Sequence, residues 1–132
     1  MGYRSEVAFA IHPDKVSEFL AVLSTSKEAL ELCQGYPGHD KGMQTDVFMK
    51  GDLFVEMSGI KWYEGYKGVD VIDKFIADTI DEVPLEEGGP QGHDFVRFIR
   101  VGEEYEDVVQ CGDYAYDFLR IQPASIYVEE QL

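Results

Sequence analysis

The chain has 132 residues, with 26 Asp and Glu against 11 Lys and Arg, a formal charge of −15. A 45% apolar share with 17 Phe, Tyr and Trp residues excludes a disordered chain, and the length suits one domain, 1–132, with a core of its own. The negative field, concentrated in the second half (net −4 over 1–66, net −11 over 67–132), repels phosphates and speaks against direct binding of nucleic acid.

Residues 4–12 alternate Val7, Phe9 and Ile11 with Ala8 and Ala10. That is a strand with one bulky face and one small face, and a helix is expected close against the small one. Pro13 opens a helix whose stripe is Val16, Phe19, Leu20 and Leu23. Thr25 and Glu28 form a capping-box pattern for a short second helix ending near Gly35. Residues 46–50 and 53–58 read as a hairpin turning at Gly51-Asp52. Trp62, Tyr63 and Tyr66 follow, then a helix with Val69, Ile72, Phe75, Ile76 and Ile80 inward and Asp70 and Lys74 paired outside. Residues 81–93 read as an exposed loop, 94–101 as an interior strand, 102–107 as an acidic turn, and 114–121 with 125–128 as a last hairpin.

This order predicts an α+β fold. It is a ferredoxin-like split βαβ antiparallel sheet with helices on one face, plus an extra short helix and a C-terminal β-hairpin. No apolar run is long enough to span a bilayer and no secretion signal opens the chain, so a cytoplasmic protein with Cys33 and Cys111 reduced is expected.

No nucleophile, phosphate loop or zinc spacing stands out, so the sequence predicts no enzyme and implies no cofactor. His39-Asp40 and His93-Asp94, each after a glycine, are weak metal candidates that require the two loops to converge. Glu103, Glu104, Tyr105, Glu106 and Asp107, with Asp113, form an acidic end able to imitate a row of phosphates, and Trp62, Tyr63 and Tyr66 are candidate aromatic anchors. The expected partner is a basic protein surface, neither nucleic acid nor membrane.

The segments Met1-Gly2-Tyr3-Arg4-Ser5-Glu6-Val7, Ile60-Lys61-Trp62-Tyr63-Glu64-Gly65-Tyr66 and Phe98 to Asp107 together resemble a group of small, acidic, uncharacterised phage-encoded proteins. The loop at 81–93 is longer than in that group. The resemblance implies a context, expression in an infected bacterium and action on a host component, and carries over no catalytic residue. Together these readings predict a non-enzymatic phage accessory protein that modulates a host protein, such as a defence or nucleic-acid enzyme. The alternative is a small-ligand- or metal-binding, or enzymatic, ferredoxin-like domain, dimeric through its sheet, with both His-Asp loops in one pocket.

Overall fold

Alternation along the first strand sets the architecture. A computed structural model of the protein describes residues 2–35, 42–84, 86–104, 106–122 and 125–132. Strand β1 (Ser5–Ile11) is central, and its residues from Val7 to Ile11 are fully buried on both faces. It pairs antiparallel with β3 (Leu53–Ile60) on one side and β4 (Val96–Val101) on the other. Outside these lie β2 (Gly42–Thr45) and β5 (Val108–Gly112), giving the order β2-β3-β1-β4-β5. Two β–α–β units interleave: β3 lies between β1 and β2, and β1 lies between β3 and β4. The α+β class and the antiparallel sheet are as the sequence predicts.

The bulky face of β1 holds the first core. Val7, Phe9 and Ile11 meet Phe19 and Leu23 of α1 (Pro13–Leu23), Ala29 and Cys33 of α2 (Lys27–Gln34), and Ile72, Phe75 and Ile76 of α3 (Lys67–Ile80). Phe19 sits edge-on to Phe9 at 5.7 Å and to Phe75 at 5.1 Å, a geometry that places ring edges against ring faces. Leu20, expected inside, is 44% exposed. The cap of α2 is Ser26, whose hydroxyl accepts the Ala29 N–H at 3.2 Å, while Thr25 donates back to the Val22 carbonyl at 2.7 Å. The cap therefore lies one residue beyond the predicted Thr25. Lys74 pairs with Asp78 at 2.6 Å rather than with Asp70, whose carboxylate accepts the Gly65 N–H at 3.0 Å just before α3.

Among the described residues no helix packs on the small face of β1, contrary to expectation. Ala8 and Ala10 leave room for Phe48, Phe54, Tyr114 and Leu119, and the hairpin of β6 (Leu119–Ile121) and β7 (Ile126–Val128) packs over them. That hairpin is thus the cover of a second core, and is shorter than predicted, since residues 114–118 form turns before it. Arg97, 2% exposed, projects into this layer and gives all three of its donor nitrogens to Leu119 O, Gly112 O and Gln110 Oε1 at 2.7–2.9 Å.

The turn between β2 and β3 also differs from the tight Gly51-Asp52 hairpin expected. The strand lies earlier, at 42–45, and residues 46–51 wrap around the fully buried Asp52 carboxylate. That group accepts the N–H groups of Val47, Phe48 and Met49 at 2.9, 3.0 and 2.9 Å and the Tyr114 hydroxyl at 2.7 Å. Strand β5, absent from the sequence reading, forms one edge of the sheet with Val108 and Val109 37% and 41% exposed.

Candidate functional site

α3 covers the centre of the sheet but stops short of its β5 edge. The uncovered strip is a groove of about 580 Å³ between α3 and β4–β5. Its floor is apolar, from Ile76 and Ile80 of the helix to Phe98 and Val109 of the strands. Its rim carries Glu64, Asp73, Asp81 and Asp107 against a single Arg100.

Trp62 lies at one end, half-buried, its ring 5.8 Å from that of Phe98 and its indole N–H donating to Asp73 Oδ1 at 3.3 Å. Partial burial raises the Asp73 carboxyl above the ordinary range, opposed by that indole bond. Burial likewise raises the thiol of Cys111 on the opposite wall.

Arg100 is engaged with Asp107 by two hydrogen bonds, 2.7 and 3.0 Å, and the Tyr3 hydroxyl donates to the same carboxylate at 2.7 Å. Arg100 and Tyr3 hold the Asp107 carboxyl down at about 2. The Tyr3 oxygen also accepts the Glu104 N–H at 2.9 Å, stapling the acidic turn to the segment before β1. Asp107 is therefore a structural member of the turn, its charge neutralised. Glu103, Glu104 and Glu106 are exposed and make no ion pair among the described residues. Tyr105 lies outside the described residues.

The other predicted residues divide. Asp113 stands beyond the far end of β5, roughly 20 Å along the strand from Asp107 at about 3.3 Å per residue, so it does not join the acidic turn. It meets His93 instead, Oδ2 to Nδ1 2.6 Å, where Asp94 Oδ1 approaches at 3.5 Å. The three aromatics are split as well. Trp62 faces the groove, whereas Tyr66, 49% exposed, lines a larger cleft of about 640 Å³ between α2 and α3; the Tyr63 and Tyr66 rings are 5.3 Å apart. That cleft gathers none of the other predicted residues. His39 and Asp40 lie outside the described residues, and with them the convergence of the two His-Asp loops.

Sequence reasoning missed Tyr3, Asp73 and Arg100. Asp73 sat on an amphipathic helix, where a charge reads as solvated surface, and Arg100 in a strand read as interior from its apolar neighbours; only the packing of α3 beside β4 brings them to one groove. No protein family, curated protein or solved structure matches the chain. Among the described residues, no helix is long and apolar enough to cross a membrane.

Proposed function

We propose that the protein is a non-enzymatic, phage-encoded binding protein that modulates a host protein, taking a basic surface of that partner against the α3–β5 groove and the acidic turn. The carrying observation is the groove itself. An apolar floor rimmed by Glu64, Asp73 and Asp81, with Arg100 and Asp107 already paired to each other, suits the long apolar stem and cationic head of Lys or Arg. A charge of −15 adds long-range steering toward such a surface. Glu103, Glu104 and Glu106, exposed beside the groove, supply the charges that would stand in for phosphates in a nucleic-acid enzyme's basic channel.

Trp62 is the single tryptophan, so intrinsic fluorescence reports directly on the groove. Pull-down from bacterial lysate at low and then high salt should recover a partner that salt releases, and adding that partner should shift the Trp62 emission. Replacing Glu103, Glu104 and Glu106 by Lys should abolish the low-salt binding. Full, salt-insensitive binding by that variant would sink the electrostatic reading.

A further inference from the structure

We propose that His93, Asp94 and Asp113 form a binding site for a divalent transition-metal ion of the zinc type, separate from the groove. Each offers one donor atom, and these atoms all lie within 4.8 Å of one another although they come from two segments. His93 and Asp94 belong to the 3-10 turn Gly92–Asp94 that leads into β4, and Asp113 is the first residue after β5.

The decisive atom is His93 Nδ1. The side chain as a whole is 43% exposed, but this nitrogen is shielded from solvent. Among the described residues it is the one buried side-chain nitrogen or oxygen without a hydrogen-bond partner. Asp113 Oδ2 at 2.6 Å and Asp94 Oδ1 at 3.5 Å both face it, yet neither contact has hydrogen-bond geometry. A nitrogen lone pair opposite two anionic oxygens is repulsive until positive charge sits between them. A divalent ion held by all three donor atoms would supply that charge.

The surroundings hold these donors in place. The Asp113 N–H donates to the His93 carbonyl at 2.7 Å, tying the two segments together. Asp94 Oδ2 accepts the Gln91 N–H at 2.9 Å, which leaves Oδ1 to face the cluster. Gly92 packs so closely on the carbonyls of Thr79 and Ile80 that a side chain there would collide with backbone.

One imidazole nitrogen and two carboxylate oxygens suit zinc and its neighbours, whereas an all-oxygen set would suit magnesium or calcium. Three protein ligands leave a tetrahedral ion one position for water. Bonds of about 2.0–2.2 Å place tetrahedral donors roughly 3.4 Å apart; Asp94 Oδ1 already stands near that distance from the nitrogen at 3.5 Å, and the exposed Asp113 carboxylate has to turn back from 2.6 Å to admit the ion. Two carboxylates and a neutral imidazole balance a charge of +2.

The test is titration of the chelator-stripped full-length protein with Zn²⁺ by calorimetry, with Mg²⁺ in parallel. One equivalent of Zn²⁺ should bind and Mg²⁺ should not compete. His93→Ala and Asp113→Asn should each weaken Zn²⁺ binding by about tenfold or more, and His12→Ala and His39→Ala should leave it unchanged. Absence of Zn²⁺ binding, or equal binding by the wild type and both His93 and Asp113 variants, would overturn the assignment. NMR of the histidine ring nitrogens in the wild type covers the case of an unfolded variant. Zn²⁺ should move the His93 Nδ1 resonance, and a resonance that stays in place while metal binds would place the ion elsewhere.

Discussion

Replacing Asp52 by Ala should be among the most destabilising single changes in this protein. Its carboxylate is fully buried and serves four donors: Val47 N–H on Oδ1, and Phe48 N–H, Met49 N–H and the Tyr114 hydroxyl on Oδ2. Three of those donors are themselves buried. Each buried donor left without an acceptor costs about 1–3 kcal/mol, or roughly 3–9 kcal/mol for three. Part of that returns, because the folded state no longer has to desolvate a carboxylate, and water can enter the vacated space. A net loss of about 3–5 kcal/mol follows, a large share of the ~5–15 kcal/mol typical of a domain. Asp52→Asn keeps one acceptor oxygen but sets an amide N–H₂ against a backbone N–H, and should cost about 2 kcal/mol. Tyr114→Phe removes one of four donors, leaves the turn intact, and should cost about 1 kcal/mol. Urea unfolding followed by circular dichroism gives all three values, and Trp62 fluorescence from the opposite face of the sheet tests whether the transition is two-state. An Asp52→Ala variant within about 1 kcal/mol of wild type, or no more affected than Tyr114→Phe, would refute the account of this turn.

Asp107 should contribute to stability in a pH-dependent way. Its carboxyl titrates at about 2 in the folded chain against about 3.9 when unfolded. The contribution is therefore full above the unfolded value and fades as pH falls through the folded one. The stability gap between wild type and Asp107→Asn should hold near neutrality and narrow between about pH 4 and pH 2; a gap constant across that window would contradict the Arg100–Tyr3 clamp. The two thiols should differ in reactivity. Burial pushes Cys33 up to about 12, whereas Cys111 lies half-buried in the groove wall, so a thiol reagent applied to the native protein should modify Cys111 first. Mass spectrometry after partial labelling reads the order, and Cys33 reacting first would be inconsistent with the first core.

What could be read from the sequence followed how local each cause was. The alternation of Val7, Phe9 and Ile11 identified β1, and the periodic apolar residues of α3 identified that helix, because both signals lie within one element. The partner of the small face was misjudged for a physical reason. Ala8 and Ala10 do signal a close neighbour, but Phe48, Phe54 and Tyr114 fill the space as well as a helix would. Gly51-Asp52 has the composition of a tight turn. What shapes the chain there is a buried carboxylate whose fourth donor, Tyr114, lies 62 residues away. Of the candidate site, the exposed glutamates of the turn and the position of Trp62 were within reach. The neutralisation of Asp107 by Arg100 and the meeting of Asp113 with His93 depend on the β4–β5 pairing, and the five residues of β5 had no recognised pattern. Val108 and Val109 sit on an exposed edge, so neither face of that strand announces itself by alternation.

The burial of β1 on both faces and both edges has a dynamic consequence. Its amides are bonded to β3 and β4, reaching as far along the chain as Val101 from Glu6, so they can exchange with solvent only when the whole sheet opens. Such long-range pairing also makes folding slow relative to a helical protein of this size, since loop-closure entropy is lost before the distant contacts form. Phe98, the floor of the groove, is the direct neighbour of Phe9 in that pairing. One wall of the groove is thus anchored in the slowest-exchanging part of the molecule, while its other rim, on the edge strand β5, is free to yield. A partner arriving there meets a surface that is rigid on one side and adjustable on the other.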